Sequence, residues 1–97
     1  MIELYKFYKN DCAPCYSMSR NLIILEDRIP EDIKIIEKNV GIEESKLLAK
    51  SFGINKVPML IFPHNKKMIG GKISKEEIIE FIVTKGGLDE VSHRTTV

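Results

Sequence analysis

Branched and aromatic side chains crowd the start of the chain: Ile2-Glu-Leu-Tyr-Lys-Phe-Tyr8 holds no Gly or Pro, the composition of a β-strand. After the turn residues Asn10 and Asp11 the period changes. Cys15, Met18, Leu22, Leu25 and Ile29 recur at three- and four-residue steps, which predicts an amphipathic helix that runs until Pro30. Pro14 fits in its first turn, where a missing N–H costs nothing. Ile33 to Lys38 then reads as a second strand, and strand, helix, strand in that order imply a parallel pair with a right-handed crossover.

Glu43 to Phe52 puts Leu47, Leu48 and Phe52 inward and Lys46 and Lys50 outward, predicting a short helix closed by Gly53. Met59-Leu-Ile-Phe62 predicts a strand whose first residue is Pro58. Pro63 to Lys66 follows as a turn, and Lys67 to Ile69 as a short edge strand paired back as a hairpin. Ser74 and Glu77 have capping-box spacing ahead of Ile78, Ile79, Phe81 and Ile82, so a last helix is expected up to Gly86-Gly87. The order β-α-β-α-β-β-α predicts one α/β domain over residues 1–87, a four-stranded mixed sheet with helices on both faces. Residues 88–97 are polar and weakly periodic, and are expected to form a partly disordered tail.

Charge narrows the choice of partners. The 15 basic and 14 acidic residues are interspersed rather than blocked, leaving no footprint for nucleic acid or anionic lipid. No uninterrupted apolar run exceeds the length of Leu22 to Leu25, so a membrane span is not expected. Met1 to Lys6 has neither the basic start nor the apolar stretch of a signal peptide, which makes a monomer in a reducing cytoplasm the expected setting.

The candidate chemistry lies in Asp11-Cys12-Ala13-Pro14-Cys15, which contains both cysteines of the chain. A bridge closing so small a loop constrains the unfolded chain very little, so stability is a poor reason for the pair. Position supplies a better one. Cys12 falls at a predicted helix N-terminus, where free N–H groups and the macrodipole favour a thiolate. Cys15 lies one turn on, buried on the apolar stripe, close enough to resolve a mixed disulfide formed by Cys12. C-x-x-C inside a βαβ unit reads as a redox motif. A structural zinc site would need two further ligands, with only His64, in a turn, and His93, in the tail, on offer. An inert buried pair is the remaining alternative.

Beyond Cys-Ala-Pro-Cys, Leu48-Ala-Lys-Ser-Phe-Gly-Ile-Asn-Lys-Val-Pro-Met-Leu-Ile-Phe62 resembles the second helix, the "Y/F-G-I-x-x-V/I-P" turn and the following strand of the thioredoxin family. Asn39-Val40 fits the end of that family's preceding strand, and Gly71-Lys-Ile-Ser-Lys75 its late "G-x-x-S-K" turn. The resemblance spans about residues 2 to 85. It implies a thioredoxin-like fold and a dithiol–disulfide oxidoreductase without a bound cofactor or metal. Its partners would be disulfide-containing proteins and a thioredoxin-reductase-like electron donor. It also implies a cis bond between Val57 and Pro58, where the residues alone favour the common trans form. Ala13, Pro14, Val57, Pro58 and Gly71 would then meet the substrate, the exposed Val57 backbone pairing with an extended segment.

Three departures from the family pattern stand out. Members usually carry a buried carboxylate six residues before the first cysteine, thought to help deprotonate the second, and a lysine on the neighbouring strand; here those positions hold Lys6 and Glu37. A charge-swapped ion pair beneath Cys15 is the expectation, with two separate snorkelling side chains as the alternative. Were they paired, Lys6→Ala should lose more stability than the double variant that also removes Glu37. Asp11 replaces the usual tryptophan, and is expected either to oppose thiolate formation or to act as the helix N-cap. Finally, the family's N-terminal strand and helix are missing and Arg20 takes the place of a helix-bending proline. The trimmed frame, with Lys9 and Gly70-Gly71, also resembles glutaredoxins, although Lys72-Ile-Ser74 lacks the acidic pair by which those proteins hold glutathione. A binding module that uses the fold without catalysis is a further alternative.

Overall fold

β1 (Ile2–Tyr8) occupies an inner place in the sheet of the computed structural model, which describes residues 1–87. It pairs in parallel with β2 (Ile33–Asn39), Lys6 lying opposite Glu37, and antiparallel with β3 (Met59–Phe62), Phe7 lying opposite Met59. β3 continues antiparallel into β4 (Lys67–Gly70), so the sheet order is β2-β1-β3-β4. Three helices complete the domain: α1 (Ala13–Ile24), α2 (Glu43–Ser51) and α3 (Lys75–Lys85). This is the predicted four-stranded mixed sheet, in the predicted order.

Because side chains alternate along a strand, β1 and β3 feed two separate cores. Ile2 and Leu4 of β1 join Leu60 and Phe62 of β3 beneath Met18, Leu22 and Leu25 of the α1 segment and Ile78 and Ile82 of α3. Phe62 stacks on Phe81 at 5.3 Å between ring centroids. On the other face, Phe7, Met59 and Ile61 pack with Ala49 of α2 and with Ile54. Lys6 therefore belongs, by alternation, to the α1 face. It is buried there among apolar neighbours, at 2% exposure.

Ser74 and Glu77 form the expected reciprocal capping box at the start of α3, with Glu77 N–H donating to Ser74 Oγ at 3.1 Å and Ser74 N–H to the Glu77 carboxylate at 2.8 Å. Gly53 follows α2 with φ of +77°, the left-handed conformation that ends helices. Several boundaries differ from the sequence reading. α1 stops at Ile24, well short of Pro30, and a 3₁₀ turn over Glu26–Arg28 takes its place. Arg28 N–H bonds to Leu25 O at 2.8 Å, tightening the chain so that Leu25 and Ile29 both still reach the core. β2 and β4 each run one residue longer than predicted, and Phe52 is the C-cap of α2 rather than part of it. Leu47 is exposed, not inward. The inner face of α2 is formed by Leu48 and Ala49, with Phe52 one turn on, and Leu47 lies about 100° of helix rotation from Leu48. The expectation for the tail lies outside the described residues.

Candidate functional site

At the end of β1 the chain turns sharply through Asp11, whose φ is +56°, and enters α1 with Cys12 in an extended conformation as the N-cap. Asp11 is thus not the cap. Its backbone N–H donates instead to the Tyr16 hydroxyl at 3.3 Å, fixing the turn against the first helical residues. The capping acceptor is the Cys12 sulfur itself, which receives the Cys15 N–H at 3.2 Å. Cys12 and Cys15 are joined as a disulfide, 6% and 2% exposed respectively. Once the bond is reduced, the same N–H and the helix macrodipole favour negative charge on Cys12 Sγ.

Pro58 stands immediately before β3 and is fully buried, and the Val57–Pro58 bond is cis. Since Phe7 lies opposite Met59, continuing that register brings Pro58 opposite Tyr8, at the end of β1 that leads to the cysteines. Gly71, with φ of +83°, donates its N–H to Pro58 O at 3.0 Å and thereby fixes the next loop to the same end. Ala13, Pro14 and Gly71 together line a groove of about 640 Å³ on one side of the helix start. Val57 lines a second groove of about 640 Å³, together with Lys9 and α2. Of the predicted substrate-facing residues, Ala13, Pro14, Gly71 and Val57 therefore border two grooves at one end of the sheet, with Pro58 buried between Val57 and Met59.

The Lys6 ammonium donates to Ser19 Oγ and to both Glu37 carboxylate oxygens at 3.2 Å each, and lies 5.3 Å from the centroid of the Tyr8 ring. The partnership is uneven, because the Glu37 side chain is 57% exposed. Sequence reasoning missed Ser19, although it sits four residues after Cys15 and so on the same helix face. Gly70 enters the sequence reading only through its likeness to glutaredoxins, not for a role at the site. A Cβ there would stand 2.6 Å from Pro58 O, so the absence of a side chain is a packing requirement beside the site. At neighbouring Gly71, by contrast, an added Cβ would meet nothing within 4 Å, and glycine is needed only for its φ.

On the α2 face of β1 the Tyr5 phenol is pushed above its ordinary range, by burial first and then by the charge of Glu3 and the 3.3 Å hydrogen bond donated to it. Among the described residues no cluster of three or more His, Cys, Asp or Glu side chains suits a metal ion, and no helix is long and apolar enough to cross a membrane.

The sheet order, the crossover helix capped by a cysteine and the joined C-x-x-C pair define a thioredoxin-like α/β domain. The family model for thioredoxin matches residues 2–84, and the chain belongs to the thioredoxin family. Among solved structures it is similar to a mutant thioredoxin from Halobacterium salinarum, with a TM-score of 0.70 and 22% identity, covering 90% of this chain and 76% of that one. It is also similar to a malarial protein, with a TM-score of 0.68 and 19% identity over 89% of this chain and 97% of the other. No curated protein matches the sequence significantly. Family membership and the Cys12–Cys15 pair together support a thiol–disulfide oxidoreductase.

Proposed function

We propose that the protein reduces disulfides in other proteins through a Cys12/Cys15 dithiol. The observation that carries this reading is Cys12 Sγ serving as the helix N-cap within bonding distance of Cys15. In the reduced protein the Cys12 thiolate attacks one sulfur of a substrate disulfide, forming a mixed disulfide and releasing the other substrate sulfur as a thiolate that takes a proton from water. Cys15, as thiolate, then attacks Cys12 Sγ. The second substrate thiol leaves, and Cys12–Cys15 closes. The substrate gains two electrons and two protons, and the protein loses them, so a thioredoxin-reductase-like donor must restore the dithiol in each cycle. Ala13, Pro14, Pro58 and Gly71 surround the reacting segment, and the Val57 backbone pairs with it.

Insulin reduction driven by dithiothreitol tests the reading. The wild-type protein should accelerate precipitation, Cys12→Ser should match the uncatalysed rate, and Cys15→Ser should accumulate a mixed disulfide. A wild-type rate no faster than Cys12→Ser would identify a binding module instead. Turnover that requires glutathione and its reductase would move the protein to the glutaredoxin role, for which Lys9 beside the site is the supporting residue.

A further inference from the structure

We propose that the groove on the α2 side of the dithiol docks an acidic segment of the substrate polypeptide, an inference that rests on the disulfide-reductase reading above. Its rim carries Lys9, Lys46, Lys50 and Lys56, with Glu43 as the single acid among its lining residues. All four lysines are exposed, and among the described residues the one ion pair is Lys6–Glu37, so none of the four is in an ion pair. This concentration is local. The whole chain carries a net charge of only +1, so a general basic surface does not account for it.

Position connects the groove to the chemistry. Lys9 lies three residues before Cys12, and Val57, opposite Lys9 when the β1–β3 register is continued, directly precedes Pro58. A substrate strand paired with Val57 therefore borders the groove that these lysines rim. Ala49 and Ile54 provide an apolar floor between them. On the other side of the helix start, the groove bordered by Ala13, Pro14 and Gly71 has Lys72 as its only charged lining residue. The two flanks of a bound disulfide thus meet different fields, one set by four lysines and one acid, the other by a single lysine. Lysines on flexible stems act as point charges without fixed geometry, which suits acidic side chains of variable sequence better than one oriented anion. Four separated cations fit a segment bearing several carboxylates.

The test compares peptides that share one internal disulfide and differ in flanking residues: Asp/Glu, Ser/Gly or Lys. At low salt the wild-type protein should show kcat/KM for the acidic peptide roughly tenfold above that for the basic one, since each exposed ion pair is worth roughly a threefold change in affinity. The difference should lie in KM and shrink as salt screens it. Lys46→Gln/Lys50→Gln should flatten the preference and Lys46→Glu/Lys50→Glu should invert it; both positions are exposed on α2, and circular dichroism verifies the fold. Equal kcat/KM for all three peptides at low salt overturns the proposal while leaving the reductase reading intact. Binding of a disulfide-free acidic peptide to the Cys12→Ser/Cys15→Ser protein, followed by fluorescence anisotropy, separates the two ideas. Charge-dependent binding without reduction of any peptide keeps the groove and removes the reductase. Displacement of that peptide by reduced glutathione at similar concentration assigns the groove to a small dicarboxylate and overturns the polypeptide assignment.

Discussion

Replacing Glu37 by Gln leaves the Lys6 ammonium, 2% exposed, without its carboxylate. A unit pair 3.2 Å apart attracts by roughly 5 kcal/mol at an effective dielectric of about 20. Much of that is offset by desolvation of the ammonium, and the 57% exposure of the Glu37 side chain weakens it further. Lys6 also retains Ser19 Oγ and the face of Tyr8. A net loss of about 2 kcal/mol is the expected outcome, below the 3–5 kcal/mol typical of breaking fully buried pairs. For a domain of this size that corresponds to a fall in Tm of about 10 °C. Lys6→Met keeps the apolar stem and releases a half-solvated carboxylate to water, so its change should stay within about 1 kcal/mol. The double variant should match Lys6→Met, giving a coupling of about 2 kcal/mol in the cycle. Glu37 thus becomes the more damaging single loss, whereas two equally buried partners would lose alike. Urea unfolding of the four reduced proteins measures the cycle. A Glu37→Gln protein as stable as Lys6→Met would refute the reasoning.

Tyr5 gives a pH prediction. Its folded pKa is raised above the ordinary value of 10.0, so the stabilisation is fully present below that pH and is lost as pH rises through the folded value. In an ultraviolet phenolate titration Tyr5→Phe should remove the late-titrating tyrosine, and Glu3→Gln should bring it part of the way down. Ser74→Ala, which removes one half of the capping box, should cost about 1 kcal/mol in urea unfolding without altering insulin reduction. Gly70→Ala should cost about 2 kcal/mol or more, because its Cβ would meet the Pro58 carbonyl at 2.6 Å, whereas Gly71→Ala, strained only by φ, should cost about 1 kcal/mol. Equal losses would show that the Pro58 loop yields. Lys6→Met should also slow alkylation of the reduced cysteines by iodoacetamide at fixed pH.

The fold is legible because its two periods are sharp. Ile2 to Tyr8 contains no turn residue, the stripe from Cys15 to Leu25 holds its spacing, and Ser74 and Glu77 mark the start of α3. Where the period is ambiguous, the pattern misleads. Ile29 keeps the spacing of α1, yet it reaches the core through a 3₁₀ turn, a difference of hydrogen-bond step that apolar spacing does not encode. Leu47 departs from expectation because the inner stripe of α2 runs through Leu48, Ala49 and Phe52, and the packing of that stripe with Phe7, rather than leucine spacing, decides where it falls. In the site, Cys12 and Cys15 are evident from spacing alone. The cap is not: Asp11 is the better side chain for that role, but its positive φ places it a residue too early, and the sulfur takes the N–H instead.

The charge swap at Lys6 changes what the interior next to α1 can offer the dithiol. A carboxylate in that place could accept a proton; an ammonium has three donors and no acceptor. Lys6 is bonded to Ser19, one helical turn beyond Cys15, which separates the two residues by roughly 6 Å of helix rise. The ammonium is thus tied to the same face of α1 that carries Cys15, and its burial limits screening by salt. In the proposed cycle a positive charge there would lower the cost of a thiolate on Cys15, whose proton would leave to solvent as Cys15 attacks the mixed disulfide on Cys12. Glu37 carries the opposite charge, and its exposure to water would keep its effect on the dithiol small. On this reading the pair would have two separable effects, Glu37 holding the ammonium in the core and Lys6 supplying the field. That division is why removing Glu37 should appear mainly in stability and removing Lys6 mainly in thiol reactivity.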